Sequence, residues 1–120
     1  MRMPDPVIPE IVRQYETHGH VVVELHGEVD ILAADLIGPL LDEVTARRGV
    51  KLVIDLTPTQ FLDCVGLELL CRAHRRVLEG GGTFRLVCPH PFTLRLIRMA
   101  RLGERLQPVA TPEQALVPQV

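Results

Sequence analysis

The sequence predicts an α/β fold: a mixed sheet of four or five strands that begins with a β-hairpin and packs against three to four helices. Two β-rich runs, at residues 11–16 and 21–25, surround a short polar turn, which is the spacing of a hairpin. Downstream, apolar residues at helical spacing alternate with short apolar runs, which favours strands alternating with helices. The 120-residue length fits one domain, which we place at residues 11–117. Residues 1–10 hold three prolines and are predicted to be a flexible tail.

The first helix is predicted from Leu36, Leu40 and Val44, which recur every four residues. Pro39 lies inside this pattern, and a proline removes a helical hydrogen bond and clashes with the preceding turn. We therefore expect either a kink there or a helix that starts near Pro39. We expect this helix to end at residues 47–49. The two arginines there are favourable at the negative, C-terminal end of the helix dipole, and the glycine is a typical C-cap residue.

A central strand and a second helix follow. Residues 52–56 are apolar apart from one aspartate, and the lack of alternation favours a strand buried on both faces. We interpret residues 57–62 as a loop. A second helix is predicted from near Asp63 to about Glu79, where the glycines at 80–82 end it. The remaining predicted elements are a strand at 83–88, a helix from Phe92 that ends at Gly103, a short strand at 106–109 and a last helical turn after Thr111.

The second helix separates apolar from charged residues. Placed at about 100° per residue, the two kinds occupy opposite arcs. Val65 is an exception because it falls between Arg72 and Arg76, so we expect it to project into solvent or towards a partner. Asp63 is a predicted N-cap that accepts a hydrogen bond from a free amide of the first turn. The apolar arc contains Gly66, Leu67, Leu69, Leu70, Cys71, Ala73, His74, Val77 and Leu78.

Four segments of the chain resemble the STAS domain, and more narrowly the bacterial anti-sigma factor antagonists. They are residues 27–30, 53–57, 61–67 and 84–88, and the resemblance covers roughly residues 11–117. It implies a STAS-like fold and a small cytoplasmic switch protein without catalytic activity. In its unphosphorylated form, such a protein binds an anti-sigma factor, a serine kinase of the GHKL type, and so regulates sigma-factor-dependent transcription. The kinase phosphorylates a serine in the motif D-S-[ST]-G, and the complex then separates.

This chain departs from the family motif at its two hydroxyl positions. Asp63 and Gly66 match, but Cys64 and Val65 replace the serine and the serine or threonine. Val65 corresponds to the usual phosphoacceptor and has no nucleophilic atom, while a thiol at Cys64 is a poor acceptor for a serine kinase. We expect neither residue to be phosphorylated. The chain would then bind its partner constitutively or would have acquired a different partner.

The resemblance also implies a partner-binding surface around Asp30, the Asp63 loop and the exposed side of the second helix. An alternative partner is another STAS protein, if the chain is an adaptor in a larger sensory complex. A second alternative is a thiol-responsive switch at Cys64, where the helix dipole favours the thiolate and Asp63 opposes it. The candidate partner-binding residues, by matching position, are Asp30, Asp63, Cys64, Val65, Glu68 and Arg72.

Composition argues against several function classes. The net charge of −2 and the lack of tryptophan speak against nucleic-acid binding. We find no phosphate-binding loop, nucleophile elbow or metal-ligand spacing, so we expect no enzyme, no cofactor and no metal. No apolar run reaches the roughly 20 residues of a membrane span, and the first residues lack a secretory signal. We therefore expect a cytoplasmic protein that does not contact the membrane.

Charge is distributed unevenly along the chain. Residues 1–69 carry 12 acids and 5 bases, a net charge of −7, whereas residues 70–120 carry 3 acids and 8 bases, a net charge of +5. Such a distribution can steer a charged protein partner towards one end of the fold. The simpler interpretation is a solvated surface that happens to be polarised.

Overall fold

Residues 11–117, the part of the chain that the computed structural model describes, fold around a four-stranded mixed sheet. The predicted tail at residues 1–10 lies outside the described residues. The strands are β1 (Val12–Thr17), β2 (His20–Leu25), β3 (Gly27–Val29), β4 (Lys51–Asp55), β5 (Thr59–Leu62) and β6 (Thr83–Val87). The helices are α1 (Ile31–Thr45), α2 (Cys64–Glu79), α3 (Pro91–Met99), α4 (Gly103–Leu106) and α5 (Pro112–Leu116).

The main sheet has the strand order β1-β2-β4-β6 and confirms the predicted hairpin. β1 and β2 pair antiparallel, whereas β4 and β6 add parallel to β2. His18 and Gly19 form the hairpin turn with φ of 51° and 76°, the left-handed pair that matches the twist of the strands. β4 is the buried central strand that its apolar run predicted.

A second, two-stranded sheet was not predicted. β5 occupies residues that we interpreted as a loop, and it pairs parallel with β3. The interpretation was wrong for two reasons. Threonine and proline at the start of the segment indicate a turn, and the strand that pairs with β5, β3, lies about thirty residues earlier in the chain, where no local pattern connects the two. Thr59 joins the two sheets, since its hydroxyl donates a hydrogen bond of 2.6 Å to the carbonyl of Leu25.

The core lies between the main sheet and α1 to α4. Ile37 of α1, Leu70 of α2 and Ile97 of α3 are among the buried side chains that pack there against Leu52 and Ile54 of β4. The opposite sheet face carries a smaller cluster covered by α5, formed by Val22, Val53, Val87 and Ala115. The helices therefore lie mainly on one side of the main sheet.

Both ends of α1, the end of α3 and one predicted strand differ from the sequence predictions. α3 ends at Met99, before the predicted end at Gly103, where α4 begins instead. α1 starts at Ile31 and contains Pro39, because the Asp30 cap and the buried residues before the proline hold its first turns in place. It also ends at Thr45, before the predicted stop at residues 47–49. The predicted strand at 106–109 is the end of α4 followed by a single parallel bridge between Val109 and Val87.

Candidate partner-binding surface

Two helix N-termini lie side by side at the edge of the small sheet. β3 and β5 run parallel with Val29 opposite Leu62, so the next residues, Asp30 and Asp63, are neighbours across the two strands. The Asp30 carboxylate accepts a hydrogen bond of 2.9 Å from the amide of Ala33. Asp63 accepts an equivalent bond of 3.0 Å from the amide of Gly66. Both aspartates are therefore N-caps, and they bring the starts of α1 and α2 to one surface.

The start of α2 is packed tightly against the small sheet. A Cβ atom placed on Gly66 would lie 2.8 Å from Cγ of Leu62 and 3.1 Å from Cγ1 of Val29. Contacts this short require a neighbour to move, so the glycine of the family motif is needed here for close packing. The amide of Asp63 also donates a hydrogen bond of 3.4 Å to the carbonyl of Val29. Close packing at Gly66 and the backbone hydrogen bond at Asp63 thus both hold the first turn of α2 against the small sheet.

Cys64 and Glu68 are exposed on the outer side of this first turn. They line a groove of about 480 Å³ that runs along α2 as far as Arg75 and meets Leu102. Cys71 lies in the same groove but is partly buried, and burial raises the pKa of its thiol. Cys64 is therefore the more accessible of the two thiols in this groove.

Val65 is partly buried, which differs from the free projection that the helical wheel suggested. The wheel is correct in placing it on the flank of Arg72 and Arg76, but that flank faces α1. Both arginines donate hydrogen bonds to α1 residues, Arg72 to Asp42 and Arg76 to Thr45. A wheel shows the angle of a residue and does not show which neighbouring helix lies at that angle.

Arg72 is held by a two-pronged ion pair. Its Nε donates to Oδ1 of Asp42 at 2.9 Å, and a second guanidinium nitrogen donates to Oδ2 at 3.1 Å. The hydrogen bond from Arg72 lowers the pKa of the Asp42 carboxyl. Arg76 approaches the same carboxylate at 3.6 Å. These contacts join α1 to α2. Arg72 therefore holds the two helices together about two turns beyond the helix starts, while half of its side chain remains exposed.

The opposite flank of α2 carries His74. Its ring packs edge-on against Phe84, with ring centroids 5.2 Å apart, and its Nδ1 accepts a long hydrogen bond of 3.5 Å from Arg105. Burial lowers the pKa of His74, and the charge of Arg105 lowers it further. The predicted apolar arc is correct at this position but wrong at Leu78, which is 53% exposed near the end of the helix.

The structure brings four of the six predicted residues together and adds apolar residues that sequence reasoning missed. Asp30, Asp63, Cys64 and Val65 lie at the paired helix starts, while Glu68 and Arg72 follow along α2. Ile31 and Leu32 at the start of α1 and Phe61 at the end of β5 are also exposed beside the caps. Their signal in the sequence is the position of each large apolar side chain within two residues of a capping aspartate.

No three His, Cys, Asp or Glu side chains of residues 11–117 form a group that could hold a metal ion. Within the same range, no helix is both long and apolar enough to cross a bilayer.

Comparison with known proteins identifies the family. The family model described as the STAS domain matches residues 12–115, which include both sheets, the helix starts and all of α5 but its last residue. The chain belongs to the STAS domain family. This result confirms the resemblance that the motifs around Asp30 and Asp63 carried.

Relatives of this STAS domain carry related names. It is 28% identical over 116 residues to the anti-sigma-F factor antagonist RsfB of Mycobacterium tuberculosis, covering 97% of this chain and 92% of the relative. It is 29% identical over 85 residues to the anti-sigma F factor antagonist of Paenibacillus polymyxa, covering 70% and 73%. The crystal structure of an anti-sigma factor antagonist from Mycobacterium paratuberculosis matches with a TM-score of 0.80 at 30% identity, covering 88% and 89%.

Proposed function

We propose that this protein is an anti-sigma factor antagonist that binds an anti-sigma factor of the GHKL kinase type in the cytoplasm. It acts by binding and carries out no reaction. The observation that supports this most directly is the pair of capped helix starts at Asp30 and Asp63, presented beside exposed apolar residues. Relatives over nearly the whole chain bear the name anti-sigma factor antagonist.

The partner-binding surface comprises the starts of α1 and α2 and the outer side of α2. Cys64 and Glu68 are exposed there and can contact a partner directly. The ion pair with Asp42 holds Arg72, so Arg72 contributes by fixing the angle between α1 and α2. The carboxylates of Asp30 and Asp63 accept hydrogen bonds from helix amides. Their role in the surface is therefore to hold the backbone of the two helix starts in position.

Phosphorylation at position 65 does not regulate this protein in our proposal. A phosphate there would add about −1.5 to −2 charges beside Asp63 and disrupt the interface by like-charge repulsion and by its desolvation cost. Val65 has no oxygen to accept a phosphoryl group, so this repulsion never develops. The complex with the anti-sigma factor is then constitutive unless another signal intervenes.

The test has two stages that separate partnership from regulation. First, affinity capture from the native cytoplasm identifies the partner. Recovery of a GHKL-type kinase supports the proposal, and recovery of only other STAS proteins supports the adaptor alternative. Second, Glu68→Arg should weaken binding of the captured kinase at least tenfold. The control Glu79→Arg makes the same charge change at an exposed residue of the same helix, far from the helix starts, and should leave affinity unchanged.

Intact mass after incubation with the kinase and ATP tests the regulatory part. The native protein should gain no phosphate, whereas Val65→Ser should gain one and lose affinity. Val65→Ala is the matched control, since it shortens the same side chain without supplying a hydroxyl. A phosphate on residues 64–66 of the native protein would contradict the proposal.

A thiol-responsive switch at Cys64 is a second candidate, favoured by the exposure of that thiol in the groove. Oxidation or alkylation of Cys64 would then weaken partner binding. Labelling with iodoacetamide provides the test, with Cys64→Ser as the unreactive control. A labelling rate for Cys64 no higher than that of free cysteine would argue against the switch.

A further inference from the structure

α1 presents an apolar stripe that no described residue covers. Leu32, Leu36 and Leu40 follow each other at four-residue spacing and are 75%, 57% and 43% exposed. Asp35 and Glu43 are exposed beside this stripe, and α1 contains no lysine, arginine or histidine. This outer face, which we call the α1 stripe, is therefore both apolar and acidic. A contiguous exposed stripe of this kind marks an interaction surface more often than a scattered exposed leucine does.

α3 presents an apolar stripe of the opposite charge. Phe92 and Met99, seven residues apart and hence on one side of the helix, are 69% and 76% exposed. Arg95 and Arg98 are exposed beside them, and α3 contains no aspartate or glutamate. Arg101, just after the helix, adds a third exposed cation. This outer face is called the α3 stripe below.

The two stripes lie at opposite ends of the helical layer. α2 is the middle helix: Arg72 and Arg76 bond to α1, whereas His74 bonds to Arg105 of α4. At about 100° per residue, His74 is roughly 160° around α2 from both Arg72 and Arg76. α3 packs against α4, and the order across the layer is therefore α1, α2, α4, α3.

We propose that the α1 stripe of one copy binds the α3 stripe of a second copy, so that the chain associates head to tail. Leucines would then meet Phe92 and Met99, while Asp35 and Glu43 would meet the arginines of α3. A symmetric contact between two α1 stripes would oppose acid to acid, and one between two α3 stripes would oppose arginine to arginine. Charge complementarity therefore selects the heterologous contact, which extends the helical layer from copy to copy.

This contact is expected to be weak and sensitive to salt. α3 has nine residues, whereas a standard interface uses about 20 to 30 residues per side. Exposed charges are largely screened beyond roughly 10 Å at 0.1 M salt. Association should thus be detectable at high protein concentration in low salt and should fall when salt is raised.

Sedimentation analysis of the full chain over a concentration series tests the proposal. The mean mass of the native protein should rise with concentration. An α1 variant, Leu32→Gln with Leu36→Gln, and an α3 variant, Phe92→Gln with Met99→Gln, should each lower the association constant at least tenfold. Every substituted side chain is more than half exposed, and thermal melting checks that both variants remain folded. Leu78→Gln is the matched control, because Leu78 is 53% exposed on α2 outside both stripes.

Mixing the two variants distinguishes the head-to-tail contact from symmetric ones. The α3 variant keeps its α1 stripe and the α1 variant keeps its α3 stripe, so an equimolar mixture should form a 1:1 dimer that grows no further. If the α3 variant dimerised alone, the contact would be between two α1 stripes and the proposal would be wrong. A native protein that remains monomeric at every concentration, including after removal of residues 1–10 and 118–120, would also overturn it.

Discussion

The starts of α1 and α2 are built alike but sit in different surroundings. Each follows a strand of the small sheet, and each is capped by an aspartate that accepts a bond from the amide three residues later. That third residue is Ala33 in α1 and Gly66 in α2. α1 has room for a Cβ atom at this point, whereas α2 lies so close to Leu62 and Val29 that it does not. The same capping signal is thus followed by different packing, because the space at the third helical residue depends on how closely the side chains of the small sheet approach each helix.

Replacing the third residue of each helix should produce the largest difference between them. Gly66→Ala forces a methyl group against Leu62 and should destabilise the protein by about 1–3 kcal/mol. Ala33→Gly, the reverse change at the matching position of α1, should cost only about 1 kcal/mol from helix propensity. Urea unfolding of the two variants measures this. Equal stability of Gly66→Ala and the native protein would show that α2 can retreat from the small sheet.

Removing the caps should have a smaller and more equal effect. Asp30→Ala and Asp63→Ala each leave a helix amide without its acceptor, and each should lower stability by about 1 kcal/mol. Asn at either position keeps a side-chain oxygen and serves as the control with little loss. The same urea series records all four variants. A loss confined to one helix would show that the two starts are less alike than their hydrogen bonds indicate.

The ion pair that joins α1 to α2 should make stability depend on acidic pH. The hydrogen bond from Arg72 lowers the pKa of Asp42 below its usual 3.8, so the stabilisation is present above that value and is lost as pH falls through the folded-state pKa. Asp42→Asn should therefore be less stable than the native protein near neutrality, and the gap should close in acid. Chemical unfolding from about pH 5 to pH 2 follows the gap. A gap that stays constant would mean that Arg72 does not discriminate the ionised carboxylate.

His74, on the other flank of α2, should give the smallest effect and at higher pH. Burial, helped by Arg105, lowers its pKa below the usual 6.5, so its neutral form suits the folded state. The stabilisation of the folded state by neutral His74 is fully present above pH 6.5 and is lost as pH falls through the folded-state pKa of His74. His74→Phe keeps the aromatic contact with Phe84 and should remove this part of the pH dependence. Parallel slopes for the variant and the native protein between about pH 7 and pH 5 would contradict the assignment.

The sequence predicted most elements because their signals are local. The hairpin follows from the turn at His18 and Gly19, β4 from its unbroken apolar run, and α2 from its periodicity and the cap at Asp63. The elements that were missed depend on distant partners. β5 forms because β3 is available beside it, and Val65 is partly buried because α1 lies on its flank.

The candidate surface was predicted in part for the same reason. The motif residues from Asp63 to Gly66 are contiguous, so the resemblance could place them on one helix start. Asp42 was not considered, since it lies thirty residues before Arg72 and no spacing rule connects them. The exposed leucines of α1 were assigned to a helical pattern, but the pattern does not state which side faces the core. The helix holds both Ile37, fully buried, and Leu36, 57% exposed.

Sequence alone determined the family, the cap at Asp63, the absence of a hydroxyl at position 65 and the opposite charges of the two halves of the chain. These are properties of residue identity and of short spacing, which the chain carries in any conformation. Tertiary structure alone decided that the two caps adjoin, that Gly66 has no room for a methyl group and that two apolar stripes of opposite charge lie at the two ends of the helical layer. Those features require segments far apart in the chain to meet, and only the packing of helices on a completed sheet fixes such meetings.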